Sequence, residues 1–292
     1  VNKDTYKNLS ADIIKARKDA KLNQAQNFNR LVNYGIWGAK SPATNLLSEA
    51  ELLAMDPQEL INRIHQQNSY EHRILYYGPS GEKELLATIN KLHNTPRKLT
   101  KIVPNDQFQM ELTNQTKVFI APYEAKQIYM SQISNRGEKF DPSMEPVLNL
   151  YNEYFGGGMN SIVFQEMRES RGLAYSANAR IIQPSYLKYP YMFRTQIATQ
   201  NDKMIDAIKV FNDIINEMPE SEAAFKLAKD GLIARLRTER IIKDEVLWSF
   251  IAAQDLGLKE DSRIKLYNDV QTMTLKDIVN FQNKWIKNRT YT

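Results

Sequence analysis

An internal repeat constrains the fold of this chain more than any other feature of its sequence. The segment "DIIKAR" begins at Asp12 and "DGLIAR" begins at Asp230, while "MDPQELI" begins at Met55 and "MTLKDIV" begins at Met273. Both pairs are separated by 218 residues, and two matches at one spacing are typical of two copies of one structural unit. The alternative is a chance match between amphipathic helices, which share one apolar period.

The repeat predicts a division of the chain into three parts. Residues 1–92 correspond to the C-terminal part of a first domain, residues 93–106 form a linker, and residues 107–292 form a second domain. The linker is polar and basic and contains two prolines, which is typical of a domain boundary. Since the chain starts inside helical sequence and ends at "NRTYT", where a strand is expected, we expect it to be a piece of a longer protein.

The predicted elements alternate between helices and short strands. Helices are expected at 5–33, from near Leu46, from Asp56–Pro57, at 80–92, at 142–155 and throughout from Asp202. Strands rich in aromatic and β-branched residues are expected at 73–79, 116–122, 126–137, 173–184 and 191–200. This order predicts an α+β fold of repeated domains, with helices packed on a largely antiparallel sheet and the first domain incomplete.

Composition excludes several classes of function. The chain has no cysteine, so disulfides, thiolate metal sites and cysteine nucleophiles are excluded. The net charge of +5 is spread along the chain; the basic linker lacks the interleaved aromatic residues of a nucleic-acid patch, so no nucleic-acid partner is expected. No apolar run approaches the ~20 residues that span a bilayer. We see no signal peptide either, and the compartment stays open.

The stretch "FGGGMNSIVFQEMRESRGLAYSA", residues 155–177, combines unusual local features. Three glycines, Gly156, Gly157 and Gly158, precede a helix, and they allow another backbone to approach closely. Asn160 or Ser161 can cap that helix. Gly172 is suited to end it, with Leu173 as the hydrophobic contact of the stop. The break places Arg168 on the last helical turn and Tyr175 on the strand that follows.

Arg168 and Tyr175 together offer hydrogen-bond donors to one point in space. A guanidinium presents several donors in a rigid fork, and a phenol presents one more. Such donors suit a peptide carbonyl, or the oxyanion that forms when water attacks it. On the residues alone, a structural role is the alternative: the arginine caps its own helix and the tyrosine packs in the sheet.

The stretch from Gly156 to Ala177 resembles the signature found in the C-terminal half of the pitrilysin and insulin-degrading-enzyme family of zinc metallopeptidases, which includes mitochondrial processing peptidases. The order of elements and the repeat resemble two neighbouring domains of that fold across nearly the whole chain. In that family the first half holds zinc in an inverted H-x-x-E-H motif. The second half binds no metal and supplies an arginine and a tyrosine to the substrate.

By this resemblance, Arg168 and Tyr175 are the substrate-binding and transition-state residues, with the turn of Gly156, Gly157 and Gly158 nearby. Arg171 belongs to the R-G-L-A-Y signature but is not expected to contact substrate. The implied partners are a peptide substrate and the N-terminal catalytic half of the same protein, or a separate subunit that carries it. Zinc is implied in that half, where it would activate water together with a glutamate.

The zinc motif itself is incomplete in this chain. "NSYEH", residues 68–72, ends like H-x-x-E-H, but the first histidine is replaced by Asn68. A site built from His65, Glu71 and His72 is a weaker alternative. We therefore predict no metal ligand and no cofactor in this segment. The predicted function is a non-catalytic, substrate-binding segment of a zinc metalloendopeptidase, inactive alone; the alternative is an inactive scaffold or core subunit of a peptidase-like complex.

Overall fold

The computed structural model describes residues 2–103 and 108–292. The end of the predicted linker and the first residue of the predicted second domain, at 104–107, lie outside the described residues. The N-terminal helices are α1 (Lys3–Ala20), α2 (Gln24–Trp37), α3 (Glu49–Ala54), α4 (Pro57–Gln66) and α5 (Glu82–Leu92).

The remaining described elements form one α+β unit. In chain order they are β1 (Gln127–Ser134), α6 (Glu145–Phe155), α7 (Ile162–Phe164), β2 (Ser176–Ile182), β3 (Met192–Gln200), α8 (Met204–Asn216), α9 (Glu222–Thr238), α10 (Glu245–Asp255), α11 (Arg263–Thr272) and α12 (Leu275–Phe281). Two π-helical segments, Gln165–Ser170 and Gln282–Ile286, continue α7 and α12. None of the helices in the described parts of the chain combines the length and apolar character needed to cross a bilayer.

The sheet within the described residues has the strand order β1-β3-β2, and both pairings are antiparallel. At its centre, Ile197 of β3 pairs with Met130 of β1 and Ala177 of β2. Residues that alternate along each strand turn one face to the main hydrophobic core, as a pleated strand requires. The predicted fold class, helices on a largely antiparallel sheet, is confirmed.

The main core lies between that face and the helices of the C-terminal unit. Fully buried aromatic residues dominate it, because large rings bury the most apolar area per residue. They are Tyr151, Tyr154, Phe155, Phe193 and Phe211. Tyr151 donates a hydrogen bond to Gln282 Oε1 at 2.5 Å, so its buried hydroxyl keeps a partner.

The opposite face of the sheet is covered only in part. Helix α2 places Phe28, Val32 and Ile36, spaced four residues apart, against Ile133, Met192 and Ile182. The ring of Phe28 also meets Tyr129 of β1 edge to face, at 5.6 Å between centroids. Helix α2 therefore lies over β1, whereas Ser176, Asn178 and Arg180 of β2 remain exposed on this face.

Helix α6 protects the outer edge of β2. Asn152 donates through Nδ2 to the carbonyl of Ile181 at 3.0 Å and accepts from the Ile181 amide at 2.8 Å. Gly156 lies against the backbone of Ala179. An edge strand whose backbone groups are satisfied in this way is a poor template for pairing with another chain.

Two predicted strands are wrong. Residues 73–79 and 116–122 are irregular and largely exposed, with Tyr77 at 62% and Ile120 at 81% exposure. A strand needs a neighbour for its backbone groups, and among the described residues the only bridge near the first segment joins Tyr70 to Thr100. From the second segment, Lys117 donates one backbone hydrogen bond to Tyr291.

The helix predicted at 5–33 is divided into α1 and α2, because Asn23 caps a new helix by accepting from the Gln26 amide. The cap predicted at Asp56, with Pro57 in the first turn, is confirmed. The strands predicted at 126–137, 173–184 and 191–200 contain β1, β2 and β3. Local signals thus located most of the elements correctly.

The helices at the two ends of the chain occur in the same order. Shifted by 218 residues, α1 falls on α9, α2 on α10, α3 on α11 and α4 on α12. Both α3 and α11 end at a methionine with extended dihedrals, Met55 and Met273. That the two segments superpose as copies of one domain stays a prediction.

Candidate functional site

The helix that carries Arg168 starts from a Ser161 cap. Its hydroxyl accepts from the Phe164 amide at 3.4 Å and donates to the Gly158 carbonyl at 2.6 Å. Of the two predicted cap residues, Ser161 and not Asn160 takes this position. Since the hydroxyl bonds to the glycine turn as well, the turn and the helix start form one hydrogen-bonded unit.

Two of the three glycines are required by close backbone contacts. A Cβ on Gly156 would lie 2.0 Å from the carbonyl oxygen of Ala179, and a Cβ on Gly157 would lie 2.6 Å from that of Asn152. A Cβ on Gly158 would meet nothing within 4 Å. The turn thus brings the end of α6 into direct backbone contact with β2, where no other residue type would fit.

The helix that follows the cap is not α-helical at Arg168. After one α-helical turn, the chain continues as a π-helix from Gln165 to Ser170. The sequence predicted an ordinary α-helix here, because a π-helix has no strong local signature. Such segments are rare and occur frequently at functional sites.

The predicted stop at Gly172 has the expected backbone geometry. Gly172 has φ of +57°, a region that glycine enters without steric cost. Its amide donates to the Arg168 carbonyl at 3.1 Å, and the Leu173 amide donates to the Met167 carbonyl at 2.9 Å. The strand side is held by β3, since the Tyr175 amide donates to the Ala198 carbonyl at 2.8 Å.

Arg168 and Tyr175 lie together on the surface. The guanidinium carbon of Arg168 is 5.1 Å from the ring centroid of Phe164 and 5.7 Å from that of Tyr175. Both distances are within the range of cation–π attraction. Both rings therefore attract the guanidinium. The Arg168 side chain is 46% exposed and Tyr175 is 70% exposed.

The polar atoms of this pair are mostly free. Arg168 has one acidic neighbour among the described residues, Glu169, at a long 3.7 Å, and the Tyr175 hydroxyl makes no hydrogen bond to any described residue. Arg171 differs, since its Nη2 and Nε both bond to Glu166 Oε2, at 3.1 and 3.4 Å. Arg168 and the Tyr175 hydroxyl therefore keep their donors free of close acidic partners among the described residues, whereas Arg171 is engaged with Glu166.

Sequence reasoning missed Phe164 as part of this site. Its ring is the nearer of the two aromatic rings beside the Arg168 guanidinium. The spacing of four residues between Phe164 and Arg168 could have indicated the contact, because such side chains are neighbours on one helix face.

The alternative metal site built from His65, Glu71 and His72 is not formed by the described residues. The described residues contain no group of three or more His, Asp or Glu side chains placed to hold a metal ion. His72 faces His93, with their Nε2 atoms 2.6 Å apart, and its Nδ1 bonds to the carbonyl of Tyr70. The residues present in the described part of the chain thus do not fit a zinc site.

Residues 73–232, more than half of the chain, match the family model described as the peptidase M16 inactive domain. The chain belongs to the M16 peptidase family. The matched range includes the glycine turn, Arg168 and Tyr175, and the resemblance read from that stretch is confirmed. A search of curated protein sequences finds no significant match.

Solved structures share the M16 fold at low sequence identity. The M16 inactive domain from Pseudomonas fluorescens is 13% identical, with a TM-score of 0.69 over 99% of this chain and 69% of that one. A protease from Helicobacter pylori is 12% identical, with a TM-score of 0.72 over 100% of this chain and 71% of that one. The ferredoxin protease FusC, in complex with Arabidopsis ferredoxin, is 13% identical, with a TM-score of 0.69.

The comparison with FusC covers 100% of this chain but only 32% of the FusC chain. At these identities the similarity shows the fold alone. Residues 73–232 match an M16 inactive domain, so the chain is a segment of peptidase type.

Proposed function

We propose that this M16 segment is the substrate-binding half of a zinc endopeptidase, and that Arg168 and Tyr175 bind the carbonyl of the peptide bond to be cleaved. The single observation that carries the proposal is the placement of their donors. The guanidinium of Arg168 lies close to the rings of Phe164 and Tyr175, and the exposed Tyr175 hydroxyl has no hydrogen-bond partner among the described residues.

The pair suits a developing negative charge better than a neutral carbonyl. Hydrogen bonds from a charged donor strengthen as the acceptor gains charge. Donors that are already in position need little reorganisation when the tetrahedral intermediate forms. Arg168 would grip the peptide in the ground state and the intermediate, whereas the Tyr175 hydroxyl would contribute mainly once charge develops.

The rest of the reaction belongs outside this segment. We place the metal that activates water in a separate catalytic half, either on the same polypeptide or on a partner subunit. This assignment follows the family, whose FusC member is described as a protease of ferredoxin. The segment alone is expected to cleave nothing.

The test is steady-state kinetics on this segment assembled with its catalytic half, using a quenched fluorescent peptide. Tyr175→Phe should lower kcat by roughly 10²-fold or less, since Arg168 shares the charge. Arg168→Ala should lower kcat and raise KM as well. Arg171→Ala is the matched control and should leave both within about twofold, because Arg171 is engaged with Glu166.

An unchanged kcat in a stably folded Tyr175→Phe enzyme would remove the tyrosine from the mechanism. Activity losses that follow the melting temperature of each variant would instead favour purely structural roles. Normal assembly with no peptide hydrolysis at all would favour the alternative, a scaffold subunit of a peptidase-like complex.

A further inference from the structure

Two arginines stand directly opposite each other on the open face of the sheet. Arg180 of β2 is the register partner of Arg194 of β3. Like charges in this position destabilise a sheet, because their Cβ atoms lie only about 5 Å apart. An anion bound between the two guanidinium groups would offset this repulsion.

The described residues supply no such anion. Arg180 is exposed and has no hydrogen-bond or ionic partner among them. Arg194 is half-buried, and its Nε donates to Ser131 Oγ at 3.2 Å, a neutral partner. Burial, and to a lesser extent the proximity of Arg180, lower the pKa of Arg194.

Helix α2 and two amide side chains lie close to the two arginines on this face of the sheet. Helix α2 packs on Ile133 and Met192, and Ile133 is the register partner of Arg194 on β1. Asn178 and Gln196 lie next to the arginines on the same face. Because Arg194 is half-buried, a charge-assisted hydrogen bond to its guanidinium would be stronger there than in bulk water.

We propose that Arg180 and Arg194 form a carboxylate-binding subsite that receives an acidic side chain of a peptide bound over the open face of β2 and β3. The proposal rests on the proposed function, since it names a feature of the same substrate. Two guanidinium forks match the two oxygens of a carboxylate. Arg180 follows Tyr175 by five residues of extended chain, a distance of about 17 Å.

The experiment measures binding of fluorescent peptides to the full chain by anisotropy. The probes are one extended peptide made of uncharged residues and a set in which a single Glu moves through every position. The wild type should bind the best Glu peptide about tenfold more tightly than the uncharged peptide. Arg180→Gln and Arg194→Gln should each remove most of that gain and leave binding of the uncharged peptide within about twofold.

Lys209→Gln is the matched control. It removes one positive charge from α8, which packs on the other face of the sheet, and it should keep the full preference for Glu. Arg180 is exposed, so Arg180→Gln should fold normally. This variant decides the test if Arg194→Gln lowers the melting temperature.

The two proposals fail in different ways. Peptides that bind without any preference for Glu, or a preference that survives in both arginine variants, would overturn the carboxylate subsite and leave the proposed function standing. Binding of no peptide at all, together with unchanged kcat in Tyr175→Phe, would overturn both.

Discussion

Asn152 and Ile181 exchange two hydrogen bonds that close the outer edge of β2 against α6. The side-chain amide satisfies both the carbonyl and the amide of Ile181, at 3.0 and 2.8 Å. Ile181 is itself buried at 3% exposure. The contact therefore fixes the position of the strand that continues from Tyr175, and the geometry of the site depends on it.

Asn152→Ala should destabilise the chain by about 1–3 kcal/mol, because it leaves two buried backbone groups unpaired. Chemical denaturation followed by circular dichroism measures the change. Asn149→Ala is the control on the same helix. Among the described residues Asn149 bonds only to the carbonyl of Glu145, four residues earlier, so this variant should cost less than about 1 kcal/mol. Equal effects of the two substitutions would contradict a special role for the Asn152 contact.

Gly156→Ala and Gly158→Ala should differ sharply in stability. A Cβ at 156 would overlap the Ala179 carbonyl at 2.0 Å, and relieving such an overlap by moving backbone costs on the order of 1–3 kcal/mol or more. A Cβ at 158 meets open space, so that variant should stay within about 0.5 kcal/mol of the wild type. Thermal melts of both variants give the comparison, and a larger loss for Gly158→Ala would show that the close approach is described wrongly.

The buried ion pair of Arg289 and Glu138 should be far more sensitive to substitution than an exposed pair. Arg289 has a 1% exposed side chain, and its Nη2 bonds to both carboxylate oxygens of Glu138, at 2.9 and 3.1 Å. Burial lowers the pKa of Arg289, and Glu138 opposes that effect.

Glu138→Ala should therefore cost about 3–5 kcal/mol, because it strands a buried cation. Lys265→Ala breaks an exposed pair with Asp269 and should cost less than about 1 kcal/mol. Denaturation midpoints that shift equally in the two variants would contradict the expected burial of Arg289.

Stability at high pH should depend on Tyr291. Burial raises the pKa of its hydroxyl to about 12, against the opposing effect of Arg289. The unfolded chain loses this proton near pH 10 and the folded chain near pH 12. The free energy of unfolding should therefore fall between about pH 10 and pH 12, by on the order of 2 kcal/mol, as the unfolded state ionises first.

Tyr291→Phe should remove this part of the pH dependence. At neutral pH it should be nearly neutral or slightly stabilising, since the buried hydroxyl has no hydrogen-bond partner among the described residues. Urea unfolding of both proteins at pH 8 and at about pH 11 tests the sign. A wild type that loses no more stability than Tyr291→Phe would contradict the raised pKa.

The sequence by itself determined the features that depend on neighbouring residues in the chain. The cap at Asp56, the stop at Gly172 and the strands β1 to β3 were predicted because capping, positive φ and alternation are local properties. The family resemblance came from the same kind of signal, the order of glycines, helix and R-G-L-A-Y in one short stretch.

Only the tertiary structure decided which segments pair and which face each residue lines. The apolar runs at 73–79 and 116–122 have strand-like composition, yet they stay irregular because a strand also requires a partner distant in sequence. The proximity of Arg168 to both Phe164 and Tyr175 depends on a π-helix and on the turn at Gly172 together. The opposition of Arg180 and Arg194 depends on the register between two strands, and register is set by packing across the whole sheet rather than by either strand alone.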